Sequence, residues 1–343
     1  MRWKATLGIG LAMGIMLGNT IAAHAGTWKA GEEPNQDKLQ YELDDGTFAA
    51  NGWYWMDWNQ DGISECYYFD ENGWLLLDAK TPDGHLVNAG GALVEDGAVR
   101  TRNIYEEEIL AAGLIRQEQG WGYKDENGNL VTNDWRSLNG TRYYFDSDAC
   151  AVKGWQYLEG YKYYFDENTY GLVRNLDGIL PIQPSYQIVV DRVRCQITVY
   201  APDGDNGYII PCRTFVCSPG KSDTPTPAGI FSTTDKYRWR LLQGPSYGQY
   251  CTRIGNTHIL FHSVPGWDQT IYNVPAYKYN MLGEPASEGC VRTTVADAKW
   301  IYDNCKAGTV VIIGDDLPAP FDKPVGIKIP EEQTWDPTDP AVQ

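Results

Sequence analysis

Tyr143-Tyr144-Phe145-Asp146 and, 20 residues on, Tyr163-Tyr164-Phe165-Asp166-Glu167-Asn168 decide how the first half of this chain folds. Two earlier segments share the same centre: Tyr67-Tyr68-Phe69-Asp70-Glu71-Asn72-Gly73 and Gly122-Tyr123-Lys124-Asp125-Glu126-Asn127-Gly128. The aspartates are spaced by 55, 21 and 20 residues, and a period of about 20 marks a short repeated supersecondary unit. Tyr-Tyr-Phe alternates aromatic faces along a strand. Asp-Glu-Asn-Gly is tight-turn chemistry. Each unit therefore predicts a β-hairpin, too small to hold a core alone, so that neighbours must stack. The long first step contains an insert. Within it Ile104–Ile115 has helical apolar spacing at 104, 105, 109, 110 and 114, which predicts one short helix packed on the array.

The rest of the composition bounds the reading. At roughly 150 residues per domain, 343 residues make about two domains. With 28 Lys and Arg against 45 Asp and Glu the net charge is −17, which argues against nucleic acid as a partner, since that binding runs on phosphate neutralisation. A hydrophobic content of 43% excludes wholesale disorder. The histidines are His24, His85, His258 and His262, so metal sites and imidazole catalysis have very few places to occur. Arg2 and Lys4, the apolar run Ala5–Leu17 and Ala23-His24-Ala25 read as a cleaved export signal over 1–25. The run is too short to span about 30 Å of hydrocarbon comfortably. The mature chain, 26–343, is then expected to be secreted. It keeps eight cysteines: Cys66, Cys150, Cys195, Cys212, Cys217, Cys251, Cys290 and Cys305. A chain this long and apolar does not depend on disulfides, and their connectivity stays open.

From about Gln187 the rhythm changes to short strands, and the expected class is mainly β throughout. Ile188–Tyr200 reads as two strands around a turn, Tyr208–Cys217 as another, and Thr224-Pro225-Thr226-Pro227-Ala228-Gly229 breaks the chain before Ile230-Phe231-Ser232. His258–His262 predicts a buried strand, and Thr309–Ile313 a final one. One helix is clear: Thr294 is its N-cap, Val295, Ala298, Ile301, Tyr302 and Cys305 form an apolar stripe, and Gly308 closes it. The expected organisation is a hairpin array over 26–180, a compact β-rich, sandwich-like domain over 181–317, and a loose Pro-rich tail over 318–343.

Ser287-Glu288-Gly289-Cys290-Val291-Arg292 precedes that helix. Gly289 permits a sharp turn beside the thiol, and a nearby helix start and Arg292 both favour thiolate. A cysteine nucleophile needs a base within hydrogen-bond reach and donors for the oxyanion. His262, ending an apolar strand beside Ser263 and a Pro-Gly turn, is the best placed imidazole. His258 and His262 are four apart, which on a helix would suggest zinc, but the Ile-Leu-Phe between them favours a strand and no ligand completes a site.

Two resemblances follow from these residues. Gly154-Trp155-Gln156-Tyr157-Leu158-Glu159-Gly160-Tyr161-Lys162-Tyr163-Tyr164-Phe165-Asp166, with the similar unit from Asp134-Trp135 to Asp146, resembles cell-wall-binding repeats of the choline-binding and glucan-binding type. That likeness implies Trp135, Trp155, Tyr143 and Tyr163 as ligand-binding aromatics. In the choline-binding branch such residues cage a quaternary ammonium by cation–π attraction. Arg142 and Lys162 stand where that branch has Trp, and a cation there repels choline. The implied partner is a cell-wall polysaccharide or a choline-bearing teichoic acid.

The ordered set Asp191 and Gln196, Thr226-Pro227-Ala228-Gly229, the strand ending in His262, and Ser287-x-Gly289-Cys290-x-Arg292 resembles the L,D-transpeptidase catalytic domain of the YkuD type over 186–314. The resemblance implies Cys290 as the acylated nucleophile and His262 as its base, oriented by the Ser263 carbonyl. It implies the amides of Gly289 and Cys290 as the oxyanion hole, with Arg292 and Ser287 lining the site. It calls for no metal and no organic cofactor. Glu288 stands where the family often has His, and the 28-residue step from His262 to Cys290 is long. The extra segment, Trp267–Pro285, is expected to form a substrate-covering lid. The expected protein is an exported, cell-wall-associated enzyme that joins peptidoglycan stem peptides by 3–3 cross-links through a cysteine acyl-enzyme. The alternatives are an L,D-carboxypeptidase with the same intermediate and a wall-binding protein without catalysis.

Overall fold

The computed structural model describes residues 26–342; the expected signal segment lies outside the described residues. Two compact units divide at Ile115 and Arg116. This division differs from the expected boundary at 180, because the last two hairpins of the array belong with the C-terminal sheet in the second unit.

The first unit carries antiparallel hairpins Thr27–Ala30 with Leu39–Glu42 and Gly52–Met56 with Ile63–Phe69. The ring of Trp28 packs 5.0 Å from Tyr41, 5.8 Å from Tyr67 and 6.1 Å from Phe69, so the two hairpins share one aromatic seam. Tyr41-Glu42-Leu43-Asp44-Asp45-Gly46 is thus a further unit of the array, unmarked in the sequence because it lacks both the Tyr-Tyr-Phe triplet and the Asp-Glu-Asn turn of the other units. The insert holds a small four-stranded sheet between Ala79 and Val99 and the helix Ile104–Ala111. Asn103 caps this helix by accepting from the Glu106 amide. It ends short of the expected Ile115 because Gly113 turns the chain at φ 91°.

In the second unit the hairpins Asp134–Leu138 with Thr141–Phe145 and Gly154–Leu158 with Tyr161–Phe165 have the same register, Trp135 opposite Tyr144 and Trp155 opposite Tyr164. Trp135 packs on the next hairpin, 5.2 Å from Tyr163 and 5.7 Å from Phe165, as stacking requires. The repeated aspartate has one job throughout. Asp70, Asp125, Asp146 and Asp166 each accept two following backbone amides at 2.8–2.9 Å through Oδ1. This is the side-chain turn that short acids make best.

Eight strands follow: β1 (Gln187–Asp191), β2 (Gln196–Ala201), β3 (Ile210–Val216), β4 (Gly229–Leu242), β5 (Ser246–Ile254), β6 (Leu260–Ser263), β7 (Val291–Thr293) and β8 (Val310–Gly314). They form one mixed sheet in the order β3-β2-β1-β8-β4-β5-β6-β7. The long β4 joins its halves, pairing with β8 through residues 229–232 and with β5 through 233–242. Apolar residues of both halves, among them Ile188, Ile197, Phe215, Phe261, Val291 and Val311, enclose one core with Ile301 of the helix Val295–Asn304. Burying apolar surface from both halves is the main stabilising term here.

The segment from 318 onward is packed rather than loose, a correction to the sequence expectation. Phe321 is 2% exposed, and its carbonyl accepts from Gln196 Nε2 at 3.0 Å. Ile329 joins Val264, Val274, Tyr279 and Leu282 in a small core. Asp336 accepts the Val295 amide at 2.7 Å. Proline forbids regular structure to this segment but not docking. Its carboxylates and apolar side chains find partners one at a time.

Candidate active site

Strands β6 and β7 are parallel neighbours, with Phe261 opposite Val291 and His262 opposite Arg292. This pairing brings two distant segments together. His262, Cys290 and Arg292 line one cavity of about 250 Å³. Arg240 of β4 also lines it, as do Arg253 of β5, which is paired with Asp235 at 3.0 Å, and the carboxylate of Glu288.

His262 is 1% exposed. Its Nδ1 lies 2.6 Å from the Ser263 carbonyl oxygen. A carbonyl only accepts, so Nδ1 carries the proton and Nε2 is left as a bare acceptor. Burial, reinforced by the Arg292 charge and partly offset by the Ser263 carbonyl, pulls the imidazole pKa down to about 3. The ring is neutral at ordinary pH. It lies on the backbone of Gly248 in β5, where an added Cβ would come 3.0 Å from both Nδ1 and Cβ of His262. The sequence reading missed Gly248, since a glycine inside a strand carries no sign of the ring that crosses it.

Each of the eight cysteines is a free thiol, Cys290 included. The Cys290 Sγ faces the backbone of the chain entering β6, 3.9 Å from the His258 carbonyl oxygen. Burial pushes the thiol pKa up, against smaller downward pulls from the Leu260 amide and Arg292. The helix start, expected to favour thiolate, is turned to another use. Its first amides donate to Asp336 Oδ2 at 2.7 Å and Thr338 Oγ1 at 3.1 Å, and β7 separates them from Cys290.

The turn before the thiol is held from inside. Gly289 has φ 109°, and a Cβ there would meet Ile259 Cδ1 at 3.1 Å. Ser287, fully buried, donates through Oγ to the Cys290 carbonyl and accepts the Gly289 amide at 3.1 Å. Ser287 therefore fastens the turn. The Gly289 amide, expected to receive an oxyanion, is already engaged, and the Cys290 amide is left nearest the thiol. Thr226 Oγ1 donates to the Gly289 carbonyl at 2.8 Å and accepts the Gly220 amide at 2.8 Å, so the Thr-Pro break bolts a second loop onto the same turn. Glu288 is exposed and pairs with Lys221, whose charge holds the carboxyl below its usual range. Ser263 Oγ accepts the Gln249 amide at 3.0 Å, which ties β6 to β5. The Arg292 Nε is buried with no hydrogen-bond partner among the described residues. A desolvated donor of this kind favours an anionic group in the cavity.

The segment expected as a lid is divided in character. Tyr279 is buried, whereas Trp267, Tyr272 and Tyr277 are 52–62% exposed. The Lys278 ammonium lies 3.8 Å over the Trp267 ring.

Among the aromatics expected to hold a wall ligand, Tyr143 and Tyr163 are buried at 2% and 3% exposure and serve the packing between hairpins. The faces of the two tryptophans carry cations from their own hairpins. The Arg142 guanidinium sits 4.3 Å over Trp135 and the Lys162 ammonium 5.4 Å over Trp155. Lys162 also pairs with Asp203 at 2.8 Å, which fastens the last hairpin to the loop after β2.

Residues 185–313 match the family model of the L,D-transpeptidase catalytic domain, and residues 131–175 match that of the choline-binding repeat. The chain is 38% identical over 95 residues to YciB of Bacillus subtilis (strain 168), named as a candidate L,D-transpeptidase; the match covers 26% of this chain and 47% of that protein. It is 25% identical over 130 residues to L,D-transpeptidase 2 of Mycobacterium tuberculosis (strain CDC 1551 / Oshkosh), over 33% of this chain and 29% of that protein. The chain thus spans less than half the length of these curated relatives. A solved L,D-transpeptidase structure from Mycobacterium tuberculosis H37Rv is 25% identical with a TM-score of 0.29, covering 38% of this chain and 58% of that one. By the two family models the chain carries an L,D-transpeptidase catalytic domain over residues 185–313 and a choline-binding repeat over residues 131–175.

Proposed function

We propose that the protein is an exported, cell-wall-associated L,D-transpeptidase that forms 3–3 cross-links through an acyl-enzyme on Cys290. The observation that carries the reading is the single cavity shared by Cys290 and a neutral, buried His262 whose free Nε2 can take a proton. Cys290 Sγ attacks the carbonyl of the L-centred third residue of a stem peptide while its proton passes to His262 Nε2. The Ser263 carbonyl steadies the imidazolium through Nδ1–H. The developing oxyanion draws on the Cys290 amide. His262 returns the proton to the departing amine, and the D-residue at position four leaves. An amine of a neighbouring stem then attacks the thioester and regenerates the thiol.

The charge pattern supports this substrate. Stem peptides carry carboxylates, and Arg240 and Arg292 face the cavity. Burial and, second to it, the Arg292 charge lower the His262 pKa. The repeats, outside the cavity, serve attachment to the wall.

Purified full chain incubated with stem tetrapeptide is expected to yield cross-linked dimer by mass spectrometry, and Cys290→Ala to yield none. Tripeptide without dimer would assign hydrolysis instead. Dimer formation unchanged in Cys290→Ala would remove the proposal.

A further inference from the structure

The cavity at Cys290 has a far wall that the acyl transfer itself does not use. Arg240 of β4 lines it. In the β4–β5 ladder Arg240 stands opposite Gly248, and opposite residues send their side chains to the same face of a sheet. A Cβ on Gly248 would come 3.0 Å from His262, so the Arg240 side chain leaves the sheet on the face where the imidazole lies. Opposite Cβ positions are about 5 Å apart, which starts the Arg240 side chain within about 8 Å of the ring.

Arg240 is exposed, and its guanidinium lies 4.7 Å over the Tyr237 ring. That ring is held in turn. Arg253 Nη2 donates to the Tyr237 hydroxyl at 2.9 Å, and Asp235 pairs with Arg253 at 3.0 Å. Stacking uses the face of a guanidinium and leaves free the N–H fork at its edge, which fits a carboxylate. Two other charges on the wall are answered, Arg253 by Asp235 and Glu288 by Lys221. Among the described residues no carboxylate pairs with Arg240, in a chain with 45 acidic residues against 28 basic ones.

The distance from the thiol narrows what Arg240 can hold. Strands β5 and β6 separate β4 from β7, which makes three strand spacings, or about 14 Å. The long arginine side chain covers part of that span. The carboxylate of the departing D-residue adjoins the scissile carbonyl and stays too near Cys290 to meet it. A stem lying from Cys290 across β6 and β5 brings a more remote carboxylate to β4.

We propose that Arg240 is a specificity residue that holds a remote carboxylate of the donor stem, with Tyr237 as the platform beneath its guanidinium. Two sources share that chemistry: the α-carboxylate of a γ-linked second residue, and a side-chain carboxylate on the third residue. The inference rests on the reading of this cavity as a stem-peptide site and adds to it a distinction between acid and amide stems.

The test reads binding, which needs no thiol. Full chain carrying Cys290→Ala is titrated by calorimetry with three tetrapeptides: one with both remote carboxylates free, one amidated on the second residue, and one amidated on the side chain of the third. Amidation at one of the two positions at least is expected to weaken binding about tenfold, and the position with the larger loss assigns the source. Arg240→Gln in the same background is expected to bind all three at about the level of the weakened stem, with the melting temperature kept because the side chain is exposed. Equal binding of the three stems with Arg240 in place, a preference that survives Arg240→Gln, or no binding of any stem would overturn the proposal. Acylation of the unsubstituted chain is followed separately by intact mass. An Arg240-dependent preference in a chain that forms no adduct would remove the acyl transfer and leave this site standing.

Discussion

Replacing Gly248 by alanine tests how the imidazole is held. The new Cβ would lie 3.0 Å from Nδ1 and Cβ of His262 and 3.1 Å from Cγ, whereas carbon atoms rest at about 3.5–4.0 Å. The ring must therefore retreat by roughly 0.5 Å. On its other side the 2.6 Å bond from Nδ1 to the Ser263 carbonyl opposes any tilt. Gly248 is an ordinary strand residue, so backbone strain plays no part, and the whole effect falls on the ring. Overpacking of this kind costs about 1–3 kcal/mol, and displacing a reacting group by about 1 Å can cost around a hundredfold in rate. We expect Cys290 acylation to slow about 10- to 100-fold, with a loss of only a few degrees in melting temperature. The assay is a time course of intact mass with stem tetrapeptide, beside a thermal melt of the same sample. Wild-type acylation in a folded Gly248→Ala variant would refute the idea that this glycine seats the imidazole.

Other consequences can be measured separately. Because burial raises the Cys290 pKa, thiolate forms only as pH climbs. The rate of alkylation by iodoacetamide should then increase about tenfold per unit from about pH 6 to 9, and a plateau near neutrality would reveal a thiolate–imidazolium pair instead. His262, at about 3 in the fold against about 6.5 in the unfolded chain, takes up its proton only on unfolding. Stability should therefore fall as pH drops below about 6.5, by at most about 1.4 kcal/mol per unit from this group. His262→Gln should flatten that dependence; equal pH profiles for the two proteins would contradict the buried neutral ring. Asp336→Ala removes the acceptor 2.7 Å from the Val295 amide and should cost about 1–2 kcal/mol, read as a lower melting temperature. An unchanged melt would mean that the tail is not what caps this helix.

Much of this was legible in the sequence where one residue type does one local job. The aspartate after each Tyr-Tyr-Phe closes a turn within four residues, so its spacing reported the hairpins directly. Thr294 caps its helix through a contact three residues away, to the Asp297 amide. The meeting of His262 and Cys290 was readable only through the likeness of ordered motifs, since two strands 28 residues apart must pair to bring it about. Other features depend on partners that the local pattern does not name. Gly248 matters because a ring from the neighbouring strand crosses it. The Gly289 amide is taken by Ser287 from two residues away, and sequence cannot say which acceptor wins. The Pro-rich tail binds by single contacts, Asp336 to the helix start and Asp339 to Gln249 at 3.0 Å, which have no period. The hairpin at Trp28 carries neither Tyr-Tyr-Phe nor Asp-Glu-Asn, its second strand being Leu39-Gln40-Tyr41-Glu42, so the repeat pattern does not mark it.

The proposed acyl transfer rests on sulfur chemistry at one position, and the intact mass of the protein reads it directly. After brief exposure of the full chain to stem tetrapeptide, the mass is expected to rise by that of the tripeptide acyl group. Peptide mapping should place the adduct on Cys290, and Cys290→Ala should show no gain. An adduct on another cysteine, or a gain that survives in Cys290→Ala, would contradict it.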